Sequence, residues 1–256
     1  MIVAAAIAPH GTPAFDPSPT RDALEEIGRR VTAARPEAIV VVTPHNVHVS
    51  GHFAVVDAAA VAGSLAEWGE PERTLERAVD RELAAALVAS AARLPLVTVS
   101  YGGNDSASAV APMDWGTLIP LSFLPELPVL VVSPARDRPL PEHVALGNAI
   151  AAASAERPVA LVASADHGHA HDPDGPYGFD PAAAAYDELV VELVRENRLG
   201  DLDPLEELVE AAKADSLWQL AVLHGAVGAG FDVELLAYEA PTYFGMLCAA
   251  YAPSAA

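Results

Sequence analysis

Residues 161–171 read LVASADHGHAH. Pro158 to Ala165 is an apolar run of strand length, and it feeds straight into His167, His169 and His171, spaced two apart. In an extended chain residues i, i+2 and i+4 share one face. Histidine is the commonest metal ligand and the side chain most easily poised near neutral pH. Taken alone, the segment therefore looks like a strand that ends in a three-histidine metal site. Gly168 and the Asp172-Pro173 pair speak against a continuous strand, and the three imidazoles share a face only while the strand lasts.

Working outward, the same arrangement recurs. Short apolar, β-branched runs at Ile2–Ala8, Ala38–Thr43, Phe53–Val56, Leu96–Ser100, Leu127–Ser133 and Val233–Tyr238 read as strands. Between them lie helical patterns: Ser18–Arg35, with Ser18 or Thr20 as cap and Pro19 in the first turn, then Glu70–Ala92 and His143–Ala153. A helix opened by Asp180-Pro181 runs to about Asn197, and Pro204–Ala214 and Ser216–Val227 read as two more. Tyr101–Ser108 and Asp172–Asp180 are polar, turn-rich loops, and a last apolar segment covers Tyr243–Tyr251. No repeat or linker interrupts the series. Alternating buried strands and helices predict the α/β class: one domain over residues 1–256, with a central, largely parallel or mixed sheet flanked by helices. In such sheets the active site lies at the carboxyl ends of the strands.

Composition narrows the function. The 256 residues are 52% hydrophobic and 19% charged, which supplies a core and excludes disorder. A formal net charge of −21 excludes nucleic acid and anionic membrane surfaces as partners. The opening MIVAAAIAPHG is too short and lacks the basic start of a signal peptide, and nothing approaches the ~18 apolar residues of a membrane span. The single cysteine, Cys248, sits in the apolar run MLCAAY and reads as a small core residue in a reducing compartment. The expectation is a cytoplasmic protein. Gly-x-Ser-x-Gly, P-loop, Gly-x-Gly-x-x-Gly and Cys-x-x-Cys patterns are all missing.

Four strands stop at a metal-competent residue: the first at His10, the second at His45, one at His167/His169 and the last at Glu239. If those strands are parallel, their ends meet in one crevice. Two neutral imidazoles and a carboxylate with open positions opposite form the facial triad of non-haem Fe(II), and a further histidine beside it is a natural general base. Glu239 follows an apolar strand, where carboxylates are rarely buried unless paired or metal-bound. His48 and His52 read as loop residues, His143 as a surface residue and His224 as helix packing. Asp114 serves either as a turn cap or as a site wall. Trp115, Tyr177 and Tyr243 either stack on a ring or pack.

In this order, Ala-Pro-His-Gly at 8–11, Thr-Pro-His at 43–45, Asp-Trp-Gly-Thr-Leu-Ile-Pro-Leu at 114–121, Ser-Ala-Asp-His-Gly-His at 164–169 and the late Glu239 span nearly the whole chain. Together they resemble the class III extradiol ring-cleavage dioxygenases of the LigB-like superfamily. The resemblance implies Fe(II) held by His10, His45 and Glu239, with His169 as the acid/base residue. It carries no role onto His167, and since the strand ends near Gly168, His167 and His171 read as supporting or loop residues. The resemblance implies a small aromatic substrate, a catechol or 2-aminophenol, opened with O2, for which Asp114, Trp115 and Tyr243 are this chain's own candidate wall residues. It further implies a homo-oligomer or a small accessory subunit. Many members carry histidine where this chain has Trp115. The superfamily also includes Memo-like proteins, metal- or partner-binding without established catalysis, which usually present a third histidine in place of the carboxylate. A zinc hydrolase that activates water in the same pocket is a third reading.

Overall fold

The computed structural model describes residues 1–102, 105 and 107–255. In chain order the elements are β1 (Ile2–Ala8), α1 (Pro19–Ala34), β2 (Ala38–Val42), β3 (Phe53–Asp57), β4 (Ala60–Leu65), β5 (Glu70–Ala78), α2 (Arg81–Ser90), β6 (Leu96–Ser100), β7 (Val110–Pro112) and α3 (Trp115–Leu121). There follow β8 (Val129–Ser133), α4 (Leu140–Ala153), β9 (Val159–Ser164), α5 (Pro181–Arg195), α6 (Asp203–Glu206), α7 (Val209–Ala212), α8 (Leu217–Val227), β10 (Phe231–Glu239) and β11 (Met246–Pro253).

Eight strands form one sheet in the order β10-β11-β1-β9-β2-β8-β3-β6. Its centre, β1-β9-β2-β8, is parallel, whereas β3 and β11 join antiparallel. The sheet is therefore mixed, with helices on both faces. All residues of β2, β8 and β9 are buried, which is why these segments read as unbroken apolar runs rather than alternating ones. Alternate residues feed two cores. Val40 and Val42 pack with α4, α5 and α8 on one face, while Ile39 and Val41 pack with α1 and α3 on the other. A second sheet, β5-β4-β7, adjoins that latter core through Val61 and Leu65.

The helix expected over Pro204–Ala214 is two short helices, α6 and α7. The helix expected over 70–92 is a strand followed by a helix. Gly69 takes a left-handed turn (φ +81°), Glu70–Ala78 pairs antiparallel with β4, and the buried Asp80 caps α2 by accepting from the Leu83 amide at 2.9 Å. The final apolar segment is itself a strand, β11, inserted between β10 and β1. The polar loop expected over 101–108 lies partly outside the described residues.

His143 is buried on α4 rather than exposed. It faces the edge of Phe53, and its Nδ1 lies 3.2 Å from the Pro139 carbonyl. Burial lowers its pKa, so the folded protein keeps it neutral. The unfolded chain takes up a proton there near pH ~6.5. Below that pH the unfolded state binds more protons than the native one, so the stability contributed by neutral His143 is present above the unfolded value and lost as pH falls. We expect the drop in melting temperature from pH 7 to pH 5 to be smaller in His143→Gln than in the native protein. An equal drop in both would remove His143 from the acid sensitivity.

Candidate metal centre

The parallel neighbours β1, β9 and β2 end on the same edge of the sheet, so the residues just past each strand emerge side by side. His10 follows β1 and is buried. Its backbone amide donates to Asp166 Oδ1 at 3.0 Å, and its Nδ1 lies 2.9 Å from Ser164 Oγ. The Ser164 hydroxyl donates to the Gly116 carbonyl. That hydroxyl can then only accept from His10, which places the imidazole proton on Nδ1 and leaves the Nε2 lone pair facing outward.

His45 follows β2, and its Nε2 stands 3.0 Å from His10 Nε2. Its ring stacks on Trp115 at 4.3 Å between centroids. The close approach depends on Gly116, where a Cβ would stand 2.5 Å from Thr43 Oγ1. Asp114 works as a cap: it accepts from the Thr117 amide at 3.0 Å and from Thr43 Oγ1 at 2.7 Å, which ties α3 to the end of β2.

The carboxylate that joins the two imidazoles is Asp215, between α7 and α8. Its Oδ2 lies 3.3 Å from His45 Nε2 and 3.6 Å from His10 Nε2. Among the described residues its buried Oδ1 has no hydrogen-bond partner. Burial opposes ionisation of Asp215, but its contacts to His10 and His45 outweigh that and hold it well below the usual carboxylate range. Burial likewise opposes protonation of His10, yet Asp166, Asp215 and Asp114 raise its pKa to about 9. The negative charge that without a metal favours a proton on His10 Nε2 equally favours a metal cation in that proton's place. The three spacings of 3.0, 3.3 and 3.6 Å suit three adjacent corners around one metal, since bonds of ~2.1 Å at right angles separate ligand atoms by about 3 Å. His10, His45 and Asp215 thus form a group that could hold a metal ion.

Glu239 does not reach this cluster, and the expectation for it is corrected. β11 lies between β10 and β1, so the end of β10 is two strand spacings, ~10 Å, from the end of β1. There Glu239 Oε2 accepts from the amide (2.9 Å) and hydroxyl (2.6 Å) of Thr20, in the first turn of α1. It stabilises a helix N-terminus. Glu239→Gln should cost about 1 kcal/mol of stability, measured by denaturant unfolding, and leave metal content unchanged.

The three histidines after β9 go separate ways. His167 is buried and bonds Ser216 Oγ through Nδ1 at 2.9 Å. His171 Nε2 pairs with the buried Asp187 at 2.8 Å, and Asp187 also accepts from the Gly168 amide and the Tyr238 hydroxyl. His169 remains at the cavity. Its Nδ1 lies 2.7 Å from the His167 carbonyl, which can only accept, so Nδ1 carries the proton and Nε2 is basic. A cavity of about 370 Å³ brings His169 together with His10, His45, Trp115, Tyr177 and Tyr243. Asp114 lies behind this wall rather than in it.

Asp215 escaped the sequence reading because it belongs to no strand. The available signal was a lone carboxylate between apolar helical runs, in AAKADSLWQL, where an acid is seldom buried without a partner.

A family model described as "Catalytic LigB subunit of aromatic ring-opening dioxygenase" matches residues 5–246. Protein CA_C1420 of Clostridium acetobutylicum is 26% identical over 230 residues, which cover 86% of this chain and 49% of that protein. The chain thus spans about half the length of the curated relative it matches. The crystal structure of the uncharacterized protein JW3007 from Escherichia coli K12 shares the fold, with a TM-score of 0.65 at 19% identity, over 97% of this chain and 99% of that one. No helix among the described residues is long and apolar enough to cross a membrane.

Proposed function

The chain belongs to the family of the catalytic LigB subunit of aromatic ring-opening dioxygenases, and from that footing we propose that it is an Fe(II)-dependent extradiol dioxygenase acting on a catechol or 2-aminophenol. The observation that carries this reading is the convergence of His10 Nε2, His45 Nε2 and Asp215 Oδ2 in a cavity that also holds a basic nitrogen on His169. Two imidazoles and a carboxylate on one face are the donor set of non-haem iron oxygenases. A Memo-like third histidine has no counterpart in the cluster, which ends in a carboxylate.

Iron held there would act as Lewis acid towards two neighbouring ring heteroatoms and as the electron conduit between the ring and O2. The chain's own residues supply the rest. Ser164 fixes the tautomer of His10, and the His167 carbonyl fixes that of His169. His169 Nε2 takes the proton of a ring hydroxyl, which makes the ring electron-rich, and returns it as the ring opens. A histidine suits both halves of that exchange near neutral pH. Trp115 and Tyr243 line the cavity and flank the space for the ring.

The test is anaerobic loading with Fe(II), followed by oxygen uptake with a panel of catechols and 2-aminophenols and detection of a yellow ring-opened product. Metal retained with no uptake across the panel would leave a metal-binding protein without dioxygenase activity. Zinc as the retained metal, with ester or amide cleavage, would point to hydrolysis.

A further inference from the structure

The metal cluster opens on a second lobe. A cavity of about 370 Å³ on the Asp215 side shares His45, His169 and Tyr177 with the aromatic pocket but adds Arg136, Lys213 and Trp218. Lys213 is the single lysine of a chain with net charge −21. The long-range field of such a protein repels anions, so an anion entering this lobe depends on close contact with Arg136 and Lys213, which line it together with Glu210 and Asp215. The Arg136 guanidinium lies over the Trp218 ring at 4.9 Å, which orients it, and 3.9 Å from Asp215 Oδ2. Among the described residues it donates no hydrogen bond, so its forked donors are open to a planar, bidentate acceptor. Lys213 caps α7 in a left-handed conformation (φ 54°) and pairs with Glu210 at 2.7 Å. That Glu210 side chain is 95% exposed, and a solvated pair of this kind yields readily to a competing anion.

We infer that this lobe binds an ionised carboxylate carried on the aromatic substrate, with Arg136 and Lys213 as the pair that sets preference for acids over neutral diols. The aromatic pocket then takes the ring, His169 and the metal ligands stand at the junction, and the acid arm projects towards Trp218. The inference rests on the ring-opening reading for the identity of the ring, but not for the anion lobe itself.

Ligands without neighbouring hydroxyls separate the two questions. Benzoate and 3-phenylpropanoate, each against its neutral amide, are titrated calorimetrically into native protein at low salt. At least one acid should bind ~10-fold or more tightly than its amide. Arg136→Met should remove that preference and Lys213→Met should reduce it. The same acid, but not its amide, should slow modification of Lys213 by an amine-selective reagent, followed by mass spectrometry. The inference is overturned if neither acid is preferred by the native protein. It is also overturned if the preference survives in the Arg136→Met/Lys213→Met double variant, which would mean the acid binds at the histidine cluster instead. If no aromatic diol, acidic or neutral, supports oxygen uptake, the dioxygenase reading falls while the titrations still decide the lobe.

Discussion

Asp215→Ala is expected to lose bound metal almost completely. After anaerobic Fe(II) loading and desalting, little metal should remain per chain, because the affinity should fall by ~100-fold or more, since even partners that merely support a ligand are worth 10–100-fold. The physical reason lies in the spacings around Asp215 Oδ2, 3.3 Å to His45 and 3.6 Å to His10. Without that oxygen, two imidazoles remain and no anion offsets the cation. Asp215→Asn keeps the volume and tests the charge alone, so it should lose metal as well. Glu239→Gln is the control, because its carboxylate is already committed to Thr20. Metal lost from Glu239→Gln and kept in Asp215→Ala would reverse the assignment and restore the ligand set expected from the sequence motif.

His169→Gln should behave in the opposite way: metal content stays at the native level, while kcat falls ~10²–10⁴-fold, the usual worth of a positioned acid/base group. The group that could hold a metal comprises His10, His45 and Asp215, whereas the His169 side chain is oriented by the His167 carbonyl and its amide donates to the Ala212 carbonyl at 2.7 Å. Removing it leaves the cavity walls Trp115 and Tyr243 in place, so KM should change far less than kcat. A loss that falls on KM instead would make His169 a binding residue, and unaltered turnover would remove it from the chemistry.

The sequence by itself determined the α/β class and most central strands, because a strand buried on both faces must be apolar throughout, as β2, β8 and β9 are. It also determined that His10, His45 and His169 lie near strand ends. It could not show β5. That segment is an exposed edge strand whose charges fit a helix surface as well as a sheet edge, and only the pairing with β4 beyond Gly69 decides between them. It could not show Asp215 either. The packing of α8 against β9, marked by the Gln219 side-chain amide donating to the Ser164 carbonyl at 3.2 Å, carries the preceding residue over the strand ends.

What the tertiary structure alone decided was which polar strand endings meet. β9 places β1 and β2 on its two sides, so His10 and His45 come within 3.0 Å although 35 residues separate them. β11, the last strand in the chain, enters the sheet between β1 and β10 and so removes Glu239 from their company. Local sequence specifies whether a segment is a strand and which faces are apolar. Strand order is set by pairing between distant segments, and the donor set of the site follows from strand order.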